Sequence, residues 1–319
     1  MHAAVPLSDP PPPTLNRELA QVLRTGPFSV ALHLAIEARG WSLERIQRAL
    51  LARGIGVSLS TLSYWRRGRS RPERPESLRA VGVLEEILGL PPQSLATLLG
   101  PRRPRGRWLD HQGTVAPLAK LWAHPDDLAR IYTGFPEAPD DHLTRLSVTD
   151  DYYVGPERAA YRLVSRMVVR ADAERVARCL VTYWAEDRDG STPAITDTRY
   201  CRVGRVRDEW ASGFTVVELI LDRVLRQGEC AVLEYSLDVP HQNEPTDDYN
   251  RRFAAPARQY ALSVVFDPRM LPTRCFSYQR ATVDGPDRWT DELWPAEHTV
   301  QTVVFDLTPG MVGIRWNWD

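Results

Sequence analysis

The sequence predicts an α+β chain of two domains, an N-terminal five-helix bundle followed by a mainly antiparallel β-sandwich or open barrel. Three observations predict it. Up to Gly100, apolar side chains recur at helical spacing in short runs that glycines and prolines stop. From about Leu143 onward the pattern changes to short β-branched and aromatic stretches separated by turn residues. The charge divides at the same place: residues 1–107 hold sixteen arginines against eight acids, and residues 108–319 hold twenty-four basic against thirty-three acidic residues. The expected layout is a Pro-rich tail at 1–14, a helical domain at 15–100, a basic linker at 101–114 and an acidic β-rich domain at 115–319.

A chain of 319 residues is long enough for two apolar cores, and 43% hydrophobic with 25% charged residues is a globular composition. Lys120 is the only lysine among the forty basic residues. The four cysteines, Cys179, Cys201, Cys230 and Cys275, lie far apart without a C-x-x-C pair, so they read as reduced, mostly buried small hydrophobes rather than as a disulfide or zinc set. No run of 18 apolar residues occurs, and the first ten residues lack a charged segment followed by an apolar one. The expectation is a cytoplasmic protein with no membrane partner.

The helices follow in order. Leu15, Leu19, Val22 and Leu23 share one face, and Gly26-Pro27 stops that helix. Phe28 to Arg39 carries Ala31, Leu34, Ala35 and Ala38 inward and ends at Gly40. Ser42 caps the next, with Leu43, Ile46 and Leu50 on one face. A helix from Pro75 to Leu88 has its proline in the first turn and Gly89 at its end, and a short one follows from Pro92 to Leu99.

Between them lies Val57 to Pro72, V-S-L-S-T-L-S-Y-W-R-R-G-R-S-R-P. Ser58 is placed to cap a short helix and Gly68 to let the chain leave it. Leu62 and Trp65 share an inward face, which leaves hydroxyls and then Arg66, Arg67, Arg69, Arg71 and Arg74 outside, against the single acid Glu73. Hydroxyls beside arginines suit a nucleic-acid groove; a solvated helix with a basic loop is the plain alternative.

The pattern formed by Val57, Ser58, Ser60, Thr61, Ser63, Trp65, Gly68 and Pro72 resembles the third helix and exit loop of the lambda-repressor-like, Xre-type helix-turn-helix domain. The resemblance covers the helices between Phe28 and Gly100. Two departures stand out: Arg66 takes the place of a usual glutamate, and the connection through Arg53-Gly54-Ile55-Gly56 is longer than the family's tight turn. The resemblance implies a DNA-binding surface. Leu59, Ser60 and Tyr64 would face base edges, with Ser58, Thr61 and Ser63 beside them, and Arg66, Arg67, Arg69 and Arg71 would hold phosphates. For Tyr64 a ring packed on a neighbouring helix is the equal alternative. In the linker, Pro104, Arg105, Gly106 and Arg107 resemble the AT-hook core. Arg105 and Arg107 would then add DNA affinity from the minor groove or as a plain basic linker.

The C-terminal domain offers ten candidate strands and little recognisable chemistry. They are 143–154, 160–170, 176–184, 198–207, 214–221, 230–237, 259–266, 273–280, 299–307 and 312–318. Ile314, Trp316 and Trp318 alternate with Arg315 and Asn317, which places the tryptophans in a core, with a ligand pocket or a partner surface as the alternative. The histidines are scattered, and no nucleophile elbow, H-E-x-x-H or phosphate-binding loop occurs. The acid pairs Asp140-Asp141, Asp150-Asp151 and Asp247-Asp248 sit beside turn residues and read as solvated loop charges.

The sequence thus leads to an expectation of a sequence-specific, DNA-binding transcriptional regulator. Its partners would be double-stranded DNA, a second copy as a homodimer on half-sites about 34 Å apart, and a small-molecule or protein effector at the C-terminal domain. No catalytic residue, metal or cofactor is expected. The alternative is a protein-interaction adaptor whose bundle no longer binds DNA specifically.

Overall fold

The computed structural model describes residues 17–100, 116–135, 142–185, 192–239 and 245–318. The expected tail at 1–14, the linker at 101–114 with Arg105 and Arg107, and the pair Asp140-Asp141 lie outside the described residues. The chain divides between Arg102 and Arg103 into two compact units, the helical one first and the β-rich one second.

The helical unit contains α1 (Arg17–Thr25), α2 (Phe28–Arg39), α3 (Leu43–Leu51), α4 (Leu59–Arg66) and α5 (Pro75–Leu88), then a 3-10 turn at Ala96–Leu99. Its boundaries follow from local chemistry. Ser42 accepts the Arg45 N–H at 3.3 Å, and Ser58 accepts the Thr61 N–H at 3.1 Å, so α3 and α4 begin on hydroxyl caps. Gly40 and Gly89 end α2 and α5 in the left-handed region, at φ 65° and 69°, where a side chain would strain the backbone. Leu19, Leu32, Ile46, Leu62, Leu84 and Leu95 form the centre of an apolar core. One charge is buried with them: the Glu85 carboxylate accepts the N–H groups of Gln93, Leu95 and Ala96 at 2.7, 2.8 and 2.9 Å. It satisfies the turn that closes the unit, although burial still pushes its pKa up.

The β-rich unit begins with two short helices, α6 (Leu118–Leu121) and α7 (Pro125–Tyr132). Its first three strands are β1 (Leu143–Val154), β2 (Ala160–Ala171) and β3 (Val176–Trp184). Then come β4 (Ala194–Arg199), β5 (Cys201–Glu209), β6 (Phe214–Leu225), β7 (Cys230–Asp238) and β8 (Asp248–Phe253). The rest are β9 (Ala257–Phe266), β10 (Arg274–Arg280), β11 (Asp287–Leu293), β12 (Thr299–Leu307) and β13 (Gly310–Asn317). They form three sheets with orders β12-β9-β1-β2-β7-β4, β11-β10-β13-β8 and β3-β6-β5. Every pairing is antiparallel except β1 with β9. One apolar cluster takes Met167, Leu219 and Ile314 from the three different sheets.

Three strands depart from the sequence reading. The segment expected as one strand at 198–207 is two: at Tyr200, φ 62°, the chain leaves β7 and turns to pair with β6. β8 and β11 are absent from the ten expected strands. Each is rich in charge, and part of that charge is paired: Arg251 of β8 meets a buried acid, and the partly buried Asp287 of β11 bonds Arg280 and Arg315. Cys179, Cys201 and Cys275 are buried and free, whereas Cys230 is exposed. No helix among the described residues is long and apolar enough to cross a membrane.

Candidate functional site

The residues expected to face DNA lie together on α4 and its exit. Ser58 spends its hydroxyl on the cap, and it also bonds the hydroxyls of Ser60 and Thr61 at 2.9 and 2.8 Å. Leu59, Ser60 and Tyr64 are exposed, Tyr64 by 46%, which decides against the packed alternative for its ring. Thr61, Ser63 and Arg66 are partly exposed, and Arg67, Arg69 and Arg71 are exposed. Leu62 and Trp65 are buried in the core. Gly68 has φ 70°, and the N–H of Arg69 returns to the Tyr64 carbonyl at 2.9 Å, closing the helix end.

The β-rich unit holds a more constructed site, one the sequence reading missed. Its base is Asp150 of β1. Period-two alternation puts Asp150 on the core face with Val148, Tyr152 and Val154, and it is fully buried rather than a loop charge. Arg251 of β8 donates to its two oxygens at 2.8 and 3.0 Å, and Tyr249 and Tyr260 each donate at 3.0 Å. Ser165 accepts a further bond from Arg251 at 3.0 Å. Burial opposes the Arg251 charge, yet the Asp150 carboxylate beside it holds its pKa well above the usual range.

The opposite side of β8 carries Asp248, Asn250 and Arg252. Asp248 is also no solvated loop acid: Tyr278 donates to both its oxygens at 2.9 and 2.8 Å, and Asn250 donates at 2.9 Å. Burial raises the Asp248 pKa despite these bonds. The Arg252 guanidinium lies 4.1 Å from the ring centre of Trp122 and 5.0 Å from that of Trp184, held between two aromatic faces. Its Nε donates a long hydrogen bond, 3.4 Å, to the Asn250 amide oxygen. Among the described residues no carboxylate stands within ion-pairing distance of it. Burial lowers its pKa to about 10, which still leaves it a cation at neutral pH.

Asp248, Tyr249, Asn250, Arg251 and Arg252, with Trp122 and Trp184, line a cleft of about 450 Å³ that runs along residues 245–254, while Asp150 is outside the lining and holds Arg251 and Tyr249 in place. The walls are fixed. Trp122 packs edge-on to Phe214 at 5.2 Å, the Trp184 ring N–H donates to the Ser212 carbonyl at 3.0 Å, and Tyr132 and Thr182 share a hydroxyl bond of 2.9 Å. Tyr152 and Tyr249 stack at 4.2 Å and line the same cleft. The arrangement presents the Arg252 cation between flat apolar faces, without an ion-pairing contact but with the Asp248 carboxylate favouring its charge, in a volume suited to a small molecule. Trp316 and Trp318 do not reach it; Trp316 is buried, and both ring N–H groups donate to the Thr246 carbonyl at 2.9 and 2.8 Å. Among the described residues no group of three or more His, Cys, Asp or Glu side chains is placed to hold a metal ion.

No family model matches the chain, and no curated protein matches it. Among solved structures it is similar to an M1 zinc metallopeptidase from Deinococcus radiodurans, at 12% identity and a TM-score of 0.36, over 57% of this chain and 44% of that one. A putative protease from Parabacteroides distasonis aligns at 11% identity and a TM-score of 0.34, over 55% of this chain and 40% of that one. The chain therefore spans less than half the length of either protein, and at this level of likeness no peptidase chemistry passes to it. The expectation of an Xre-type, DNA-binding transcriptional regulator is corrected accordingly: no family model supports it, and the solved structures to which the chain is similar are described as peptidases. The physical reason is that caps, core spacing and a glycine exit are what any bundle of short helices requires. They account for α4 without specifying groove binding.

Proposed function

We propose that the β-rich unit is a binding module for a small organic anion with a flat apolar body. Arg252 takes the anionic group, and Trp122 and Trp184 flank the body. The observation that carries the reading is the half-buried guanidinium of Arg252, held between two rings without a carboxylate partner among the described residues. A buried cation in this setting is a costly feature that an incoming carboxylate would offset through charge-assisted hydrogen bonds. The reading is one of binding without turnover, because Asp248 already accepts from Tyr278 and Asn250 and so serves to fix the wall. It takes the three sheets as a sandwich or open barrel with the cleft at its seam, supported by the apolar cluster they share.

The test is titration of the full chain with phenylacetate and with its neutral amide, read by tryptophan fluorescence and thermal unfolding. Phenylacetate is expected to quench the fluorescence and raise the unfolding temperature, and the amide is expected to do neither. Arg252→Gln should abolish the response and Arg252→Lys restore part of it. Equal responses to acid and amide, or unchanged binding by Arg252→Gln, would show the guanidinium to be a structural clamp.

A further inference from the structure

Two sheet edges line the cleft. β3 is the edge of the three-stranded sheet, paired only with β6, and β8 is the edge of the four-stranded sheet, paired only with β13. Residues 180–185 of the first and 245–254 of the second both contribute to the lining. The cleft has a floor and a roof as well. Tyr152, Leu163, Tyr235 and Leu237 of the six-stranded sheet line it from below. Above it, α6 and α7 reach both of the other sheets: the Lys120 carbonyl accepts the Val283 N–H of the β10–β11 turn at 2.8 Å, and Leu128 and Ile131 pack with Leu180, Phe214 and Val216.

The backbone parity of the two edges follows from two bonds. Ala185 N–H donates to the Gly213 carbonyl at 3.2 Å, in register with Trp184 opposite Phe214. Trp316 N–H donates to the Asp247 carbonyl at 2.8 Å, in register with Arg315 opposite Asp248. Residues 181 and 183 therefore spend their backbone groups on β6, and residues 249 and 251 spend theirs on β13. Thr182, Trp184, Asn250 and Arg252 point theirs to the unpaired sides, where nothing among the described residues bonds them. All four residues are half-buried, and backbone groups withdrawn from water without a partner are costly. An extended chain meets such groups on both of its own sides, because its successive N–H and C=O groups point alternately to each edge.

We propose that the anion taken by the cleft is the C-terminal carboxylate of an extended peptide, which enters as a strand between β8 and β3 and joins their two sheets. The proposal rests on the reading of Arg252 as the anion site. Arg252 and Trp184 meet at 5.0 Å near the C-terminal ends of β8 and β3, so a peptide with its carboxylate there runs parallel to both strands. Its last side chain is apolar and flat and lies against Trp122 and Trp184. The body that a small anion would place there is then the final residue of a longer ligand.

The test is titration of the full chain with acetyl-Ala-Val-Ala-Phe, its C-terminal amide and two forms N-methylated at Val or at the second Ala, beside phenylacetate. The free acid is expected to bind at least about tenfold more tightly than phenylacetate, and each N-methyl group, which blocks one of the two edges, should lose most of that gain. The C-terminal amide should bind at least about tenfold more weakly than the acid. Hydrogen exchange at the Thr182, Trp184, Asn250 and Arg252 amides should slow with the peptide and stay unchanged with phenylacetate. Phenylacetate binding that Arg252→Gln abolishes, together with a peptide no tighter than phenylacetate or indifferent to N-methylation, would overturn the strand insertion and leave the anion site standing. Equal binding of the peptide acid and its amide would overturn the placement of the carboxylate. Failure of phenylacetate and peptide alike would remove the anion reading and this proposal with it.

Discussion

The helical and β-rich units solve the placement of charge in opposite ways. In the helical unit the arginines of α4 and its exit face outward, and the one deeply buried carboxylate, Glu85, is met by backbone N–H groups alone. In the β-rich unit charge is brought inside and answered by charge. Asp150 meets Arg251 at 2.8 Å, and Glu218 meets Arg178 at 2.7 Å and Arg205 at 3.2 Å. Glu218 is packed so closely that a Cβ on Gly204 would stand 2.5 Å from its carboxylate, which fixes glycine at that position. A helix satisfies its own backbone, so a small helical core needs few polar bonds between elements. Three sheets meeting at their faces need side chains to define which strand lies against which, and buried ion pairs provide that definition.

The largest test of this contrast is Asp150→Ala. It strands the Arg251 cation and removes the acceptor of Tyr249 and Tyr260, and is expected to cost the β-rich unit about 3–5 kcal/mol. Hydrogen exchange on the full chain should show the loss in strands β1, β8 and β9 with residues 17–100 unchanged. An equal loss in the helical unit would break the comparison. Glu85→Ala is the matching change on the other side. Three N–H groups lose their acceptor, and the helical unit is expected to lose about 2 kcal/mol, read as a shift in its urea midpoint and faster exchange at Gln93, Leu95 and Ala96. Ser58→Ala removes only the cap of α4 and should cost about 1 kcal/mol by the same measurement.

The smallest effect is a pH dependence. Burial holds the Glu85 pKa above its ordinary value of 4.5, so its protonated form is favoured on folding. The stability linked to it is fully present below that ordinary value and is lost as pH rises through the folded-state value. Urea midpoints of the helical unit at pH 4 and pH 7 should therefore differ less in Glu85→Gln than in the unaltered chain.

Local elements were legible wherever one physical signal decided them. Sequence patterning places Phe28–Arg39, Pro75–Leu88, Leu143–Val154, Val176–Trp184 and Thr299–Leu307 where the structure has them, because caps, glycine stops and alternation act within a few residues. The cleft was not legible in that way. Arg252 was never a candidate, since a strand of sequence D-Y-N-R-R-F reads as a loop until its partners are known. A signal did exist for Asp150: it shares the parity of Val148, Tyr152 and Val154, and the solvated-loop reading passed over that alternation. The partner of such a residue is far away in the chain, and spacing cannot name it. The DNA-binding expectation failed for a related reason. Exposed arginines after a short helix describe a surface, and a surface does not state what it meets.

The Asp150 cluster also sets an order of events in time. Its bonds to Tyr249, Arg251 and Tyr260 span 99, 101 and 110 residues of chain. During synthesis the helical unit precedes the β-rich unit, and domains generally fold as units in the order they emerge. β1 and β2 follow as a hairpin whose Asp150 carboxylate remains in water, because nothing yet exists to receive it. Only when β8 and β9 leave the ribosome does the carboxylate become enclosed and the parallel β1–β9 seam close. A chain halted before Tyr260 therefore carries an open sheet with a charge on its future core face. The Asp150 cluster can therefore be completed only once the last of its partners, Tyr260, has been made.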